Sequence, residues 1–278
     1  MKPVDKLLTA WVGFLTVVVA ARGGVGQPTW WILGAHALFA LLLVLFTRLR
    51  PGDRLGQTLH DLYPLILLGG FYTEIGLLSL DFGVGPLFGH DAIVQGWDEF
   101  LFGMQVSYDW IRLHPSVFWS WVLHAAYVAY YPIIYLGPVA LLLSGRRQGA
   151  RDVVLAMMVA FVACYVVFVL FPVAGPNYAF EHPSGPVREV WSARVVYAML
   201  SAGSAIGTAF PSSHVAATTA TVVAMWRASK TVFAVVLVPA LLLVVATVYC
   251  QMHYGIDAIA GLLVGALAVP AARLMGTA

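Results

Sequence analysis

An all-α membrane protein with about eight spanning helices is predicted by three observations. The chain of 278 residues is 61% hydrophobic and only 10% charged. Its mean hydropathy is +0.86. Its apolar residues gather in eight long runs. A soluble domain is nearer half apolar and a quarter charged. One water-soluble fold cannot hide this much apolar surface. A soluble enzyme, a disordered tail and a disulfide-stapled secreted module are excluded.

A bilayer span needs about 20 mostly apolar residues. The runs cover roughly residues 7–21, 29–46, 59–80, 117–143, 153–173, 213–226, 231–250 and 254–275. The first is short. It follows Lys2 and Lys6 and ends Val19-Ala20-Ala21, which also suits a cleaved leader. In both cases Arg22 falls outside. With the N-terminus inside, the inner loops hold Lys2, Lys6, Arg48, Arg50, Arg54, Arg146, Arg147, Arg151, Arg227, Lys230 and Arg273. The outer loops hold Arg22, Arg112, Arg188 and Arg194. That is 11 of the 15 basic residues inside and 4 outside, as the positive-inside rule requires. The expectation is a multi-pass protein with both termini cytoplasmic. Residues 1–58 form two added spans and 59–278 a six-span core. Net charge of +2 offers nothing to nucleic acid. Cys164 and Cys250 lie at different membrane depths and are expected to be free.

Two outer loops are long. Residues 81–116 are acidic, with Asp81, Asp91, Asp98, Glu99 and Asp109 against Arg112. Within them Trp97, Leu101 and Met104 fall at i, i+4 and i+7, which suits a helix lying in the interface as well as a loop packed on the bundle. The other loop, 174–209, leads to the residues that carry chemistry.

The first such segment is Phe210-Pro211-Ser212-Ser213-His214, before an apolar run. Pro and Ser mark a helix start. A helix N-terminus with Ser212 and Ser213 beside it is an anion site; a plain cap with an interfacial histidine is the alternative. The second segment holds His253 and Asp257 at the same predicted membrane edge. Four residues apart, they share a helical face. A carboxylate on one ring nitrogen frees the other as a nucleophile. Asp257 is the only carboxylate in the last three spans, and an ionisable residue there is a functional signal. A structural hydrogen bond is the bland reading of the pair.

Pro211-Ser-Ser-His214 followed by His253-x3-Asp257 resembles two signatures of the type 2 phosphatidic acid phosphatase superfamily. Within it, Pro211-Ser-Ser-His-Val-Ala216 and His253-Tyr-x2-Asp257-x3-Gly261 are most similar to the inositol phosphorylceramide synthase branch. Asp98-x3-Phe102-Gly103 and the Tyr-rich 127–132 resemble that branch more weakly. The resemblance is strong over 171–261 and reaches back to Asp98. It implies a lipid phosphatase or phosphotransferase at the extracytoplasmic leaflet, working through a phosphohistidine without metal or other cofactor. His253 would attack phosphorus, Asp257 would orient it, and His214 would act as acid and base. The implied partner is a phospholipid or sphingolipid substrate in the membrane.

The superfamily's first signature, a Lys and a following Arg-Pro, is missing. Phe171-Pro-Val-Ala-Gly-Pro176-Asn177-Tyr178 stands there without a basic residue. The Arg of the third signature would fall at Thr247, and the Arg that many synthase-branch relatives carry two before the histidine is Gln251. A phosphate monoester carries about two negative charges. The missing cations favour a diester donor, unless Arg188 or Arg194 folds back; Asn177 is a further candidate phosphate ligand. Glu74, His124, Tyr127 and Tyr131 are candidates for a headgroup pocket or for an interhelical network. A lipid monoester phosphatase is the alternative within the class. Outside it stand a metal hydrolase built on His214, His253 and Asp257, and a transporter or lipid-binding scaffold.

Overall fold

The computed structural model describes residues 1–21, 27–48, 54–81 and 89–276. Arg22 and Arg50, counted above for the charge balance, lie outside the described residues. Helices account for nearly all of the secondary structure. They are α1 (Pro3–Ala21), α2 (Gln27–Arg48), α3 (Arg54–Asp81), α4 (Asp91–Phe102), α5 (Val106–Leu113), α6 (Val117–Val128), a π-helical turn (Pro132–Leu136), α7 (Gly137–Leu143), α8 (Arg147–Leu170), the short α9 (Pro176–Ala179) and α10 (Pro186–Glu189), α11 (Trp191–Gly203), α12 (Ser213–Ala228), α13 (Lys230–Tyr249) and α14 (Gly255–Leu274).

Each of the eight predicted runs is helical, and the protein is an all-α membrane protein. Among the described residues, six helices are long and apolar enough to cross a bilayer: Pro3–Ala21, Leu55–Ser79, Val117–Leu143, Arg147–Leu170, Lys230–Tyr249 and Gly255–Leu274. The apolar stretch Trp30–Phe46 is shorter. Helix α12 has 16 residues, about 24 Å at 1.5 Å per residue. It is enclosed by α8, α13 and α14. Along the face packed on these helices it tolerates buried Ser213, Thr218 and Thr221 among its alanines and valines. The outer helices behave in the opposite way. Val235, Leu241, Leu263 and Leu267 of α13 and α14 are exposed to the surroundings, as lipid-facing side chains must be.

The run 117–143 changes character at Pro132. Proline has no N–H and its ring crowds the carbonyl four residues back. The helix widens there into a π-helical turn. Such bulges re-aim the side chains around them; here those are Tyr127, Tyr130 and Tyr131.

Helix α1 packs on α2 and α8, and α2 on α3. Buried Leu8, Trp11 and Leu15 face this junction, with the Trp11 ring 5.7 Å from that of Tyr165. At one end Asp61 of α3 accepts from Lys2 Nζ at 2.6 Å and Arg151 Nε at 2.8 Å, with Arg147 Nη1 at 3.4 Å. The predicted interfacial segment is helical where described. In α4, Trp97, Phe100 and Leu101 are exposed while Asp91, Val94 and Asp98 are buried. One face thus meets the surroundings and an acidic face meets the bundle.

Candidate active site

Three chain segments converge at one end of α8, α12 and α14. The loop after α8 is pinned to the loop before α12 by a parallel bridge between Val173 and Thr208, with Ala209 N–H donating to Val173 O at 3.0 Å. Ser212 caps α12, its Oγ accepting from Val215 N–H at 3.3 Å. The Ser212 N–H donates to Asp257 O at 3.0 Å, tying the start of α12 to the first turn of α14. Gly261 makes this closeness possible. A Cβ there would lie 2.6 Å from Ser212 O, and one at Gly265 would collide with Ala216 O. Small residues at i and i+4 let two membrane helices approach backbone to backbone.

The turn between α13 and α14 passes through Gln251 in the left-handed region, φ 60°. His253 follows, buried and 4% exposed. The start of α14 has unpaired N–H groups. Asp98 of α4 accepts two of them, Gly255 N–H at 3.0 Å and Ile256 N–H at 2.7 Å. Asp257 Oδ2 turns back to accept Tyr254 N–H at 2.8 Å. Asp91, one end of α4 away, accepts from the Tyr254 hydroxyl at 2.9 Å and from Gly175 and Ala174 N–H at 2.8 and 2.9 Å. The acidic face of α4 therefore fixes two of the three segments. The acidic loop charges of the sequence are buried structural ligands at Asp91 and Asp98. Their i, i+7 spacing, opposite Trp97 and Leu101, was the available signal.

The two histidines face each other. His253 Nε2 lies 3.4 Å from His214 Nδ1. His253 Nδ1 lies 2.9 Å from Ala209 O and 3.5 Å from Asp257 Oδ2. The closer partner of Nδ1 is thus a backbone carbonyl, with the carboxylate behind it. His214 Nε2 lies 3.3 Å from the Tyr127 hydroxyl, and the rings of Tyr127 and Tyr130 pack on the imidazole at 5.2 and 4.4 Å. Hydrogen positions follow from these partners. A carbonyl only accepts, so His253 carries its proton on Nδ1. Burial pushes His253 down to about 4 against the opposing pull of the Ala209 carbonyl. It is neutral at pH 7, with a lone pair on Nε2. His214 then donates from Nδ1, and its Nε2 accepts from Tyr127.

The pair opens on a cavity of about 40 Å³ lined by Tyr72, Asn177, Ser204, Thr208 and both histidines. A second cavity of about 130 Å³ lies beside it, lined by His214, Ser213 and the tyrosines 72, 127, 130, 131, 135 and 165. Among the described residues, no Lys or Arg lines either one. Asn177, Ser213, Tyr127 and Tyr131, expected as phosphate or headgroup ligands, line one or the other of these cavities. The other candidates line neither cavity. Ser212 is used as the cap of α12. Glu74 contacts His36 of α2, because its face of α3 looks toward the added helices. His124 packs near Tyr197 at 6.1 Å between ring centres, with Nδ1 2.8 Å from Ser120 O. Arg188 and Arg194 line a separate cavity with Ser184 and Glu189. Arg188 stacks over Tyr197 at 4.6 Å and Arg194 Nε donates to Glu189 O at 2.8 Å.

Arg112 is a cation the sequence did not single out for the site. Its Nη1 donates to Gln251 Oε1 at 2.9 Å, two residues before His253, and its guanidinium also bonds Glu181 O. Gln251 Nε2 donates to Pro176 O and Glu181 O. A guanidinium from α5 is thereby held at the side chain two residues before His253.

Residues 94–271 match the family model described as the PAP2 superfamily. The chain belongs to that superfamily. No curated protein and no solved structure matches it. The PAP2 match begins within α4 and ends within α14, so it holds both histidines and Asp257 and leaves out α1–α3. Membership gives a lipid-phosphatase-type membrane enzyme. Among the described residues no group of three or more His, Cys, Asp or Glu is placed to hold a metal ion. His214 and Asp257 address opposite nitrogens of His253, so these three do not converge on one point.

Proposed function

We propose that this PAP2 protein transfers a phosphoryl or phospho-headgroup unit of a membrane lipid through a phosphohistidine on His253. The observation that carries the reading is the facing pair, with His253 Nε2 turned to His214 Nδ1 at 3.4 Å. His253 Nε2 attacks phosphorus, forming N–P as the P–O bond to the leaving group breaks. An anionic substrate between the rings raises the proton affinity of His214. His214 protonates the leaving oxygen. It next takes the proton of a water or lipid hydroxyl, whose oxygen forms O–P as N–P breaks. The Ala209 carbonyl and Asp257 hold the ring and its Nδ1 proton. Their negative ends also offset the cation formed on His253.

Donors for the phosphoryl oxygens are Asn177, Ser213 and the start of α12. With no Lys or Arg among the described residues lining the cavities, the doubly charged head of a monoester is the harder substrate to desolvate. A phosphodiester lipid carries about one charge, so a diester donor, as in the synthase branch, fits this lining better. The reaction is read at the extracytoplasmic leaflet, from the charge bias of the loops.

The test is a panel of lipid monoesters and diesters offered to the detergent-purified protein in excess EDTA, beside His253→Ala. Inorganic phosphate and headgroup release are both followed. Headgroup release or transfer from diesters, lost in the variant, is expected. Phosphate release from monoesters alone would make it a monoester phosphatase. Activity retained in His253→Ala would end the phosphohistidine reading, and loss with EDTA would move the residues to a metal mechanism.

A further inference from the structure

The helices that carry the histidines end in a further cavity at their far ends. His214 is in the first turn of α12 and Arg227 in its last. His253 precedes α14 and Arg273 lies in its last turn. Helix α8 runs the other way, so its N-terminus joins them. The cavity among these three ends has about 450 Å³ and is lined by Arg146, Arg227 and Arg273, with Asp152 as the one acid among the described residues. At 1.5 Å per residue it lies about 20 Å from His214 along α12. It is therefore separate from the chemistry described above.

Four features of this cavity point the same way. Arg146 is held open across the helix ends by donating to Ala228 O at 2.8 Å. Asp152 accepts from Gln148 Nε2 at 2.9 Å, which draws its charge toward its own helix. Helix α8 starts without a side-chain cap, and Gly149 of its first turn lines the cavity; such a helix start attracts anions. The floor is apolar, formed by Leu155, Ala156 and Val269, and Leu274 beside Arg273 is 91% exposed. Three arginines over one acid need an anion. An apolar floor at a membrane edge, flanked by a lipid-facing leucine, needs hydrocarbon near that anion. Both needs are met by one molecule.

We infer that this cavity binds the phosphate headgroup of an anionic phospholipid from the leaflet opposite the histidines. By the charge bias of the loops that leaflet is the cytoplasmic one. Basic pockets between helices on that side suit such headgroups. The arginines hold the phosphate, and the acyl chains leave along the exposed flank of α14.

The test is titration of the full chain in detergent with short-chain phosphatidylglycerol, read by native mass spectrometry. Phosphatidylcholine and inorganic phosphate run in parallel. Each near-surface Arg contributes about fivefold in affinity. The Arg227→Gln, Arg273→Gln variant is expected to bind phosphatidylglycerol about thirtyfold more weakly. Arg227→Lys with Arg273→Lys, and Arg48→Gln elsewhere on the same face, should stay near the wild type. Raising the salt should weaken the wild-type affinity, a readout that needs no variant. Equal binding of phosphatidylcholine, an unchanged Gln variant or salt-independent affinity would overturn the inference. Inorganic phosphate binding as tightly as the lipid would reduce the cavity to a free-anion site and also overturn it.

Discussion

Asp98 of α4 caps α14 by taking the N–H groups of Gly255 and Ile256 on its two carboxylate oxygens, at 3.0 and 2.7 Å. The interfacial helix thus sets the first turn of the helix that holds Asp257, directly after His253. Charge-assisted hydrogen bonds of this kind contribute about 1.5–3 kcal/mol each, and removing a buried acceptor leaves both donors orphaned. Asp98→Ala is expected to lower thermal stability by about 3 kcal/mol and to cut turnover as well. Asp98→Asn, which keeps one acceptor, should fall between. Melting in detergent beside initial rates checks this. An Asp98→Ala protein with native melting and native rate would show that α14 holds its start without the cap.

Tyr127 contributes to His214 in two separable ways. Its ring packs on the imidazole, and its hydroxyl reaches Nε2 at 3.3 Å. Tyr127→Phe keeps the first and removes the second. The expected result is an unchanged melting temperature with turnover lowered about tenfold, the value of one hydrogen bond of about 1.4 kcal/mol at the reacting centre. Turnover equal to wild type would mean that Nε2 of His214 needs no donor.

The spans were legible because lipid demands long apolar runs, and no tertiary contact can disguise them. That His214, His253 and Asp257 come together was legible because their residue types and spacing placed them at one predicted membrane edge. Glu74 and His124 were not. Periodicity tells which residues share a helical face, and both do lie inward. It does not tell which neighbour that face meets, and α3 turns Glu74 toward His36. The Ala209 carbonyl was invisible for another reason: a backbone acceptor leaves no trace in side-chain identity. The position of Arg188 and Arg194 in a separate cavity was not legible either, because a loop's path is set by local turns and not by charge demand.

Burial holds His253 near 4 when its ordinary value is 6.5. Between those values the unfolded chain binds a proton that the folded one refuses. The stabilisation is complete above pH 6.5 and is lost as pH falls toward 4. It amounts to about 3 kcal/mol at 1.4 kcal/mol per unit. Melting temperature should therefore fall more steeply from pH 7 to pH 4.5 in the wild type than in His253→Gln. Parallel pH curves for the two proteins would mean that the ring titrates normally.

Asp61 is almost wholly buried and meets Lys2, Arg147 and Arg151. It joins the start of α1 and α8 through α3. Removing one partner of a buried charge cluster costs about 3–5 kcal/mol because the remaining charges lose their compensation. Asp61→Ala is expected to destabilise by about 3 kcal/mol while the folded fraction keeps its KM, since Asp61 lines neither cavity at the histidines. Activity and intact fold are measured together after brief heating. A KM raised severalfold with stability intact would instead couple α1 to substrate.

Gly261 is the point where α14 meets the cap of α12. A Cβ there would stand 2.6 Å from Ser212 O and 3.0 Å from the Val215 Cβ. A backbone oxygen and a β-branched side chain cannot rotate away, so the helices must part. Overpacking of this kind costs about 1–3 kcal/mol. The same shift opens the gap between His214, two residues after Ser212, and His253. Gly261→Ala is expected to lose turnover more than tenfold, beyond its loss of stability. Gly96→Ala in α4 is the control. Nothing lies within 4 Å of its added methyl, so helix propensity should leave it equal to the wild type or about 1 kcal/mol more stable. If Gly261→Ala melts and turns over like Gly96→Ala, then the histidine pair does not depend on the α12–α14 contact, and its geometry must be set by α4 alone.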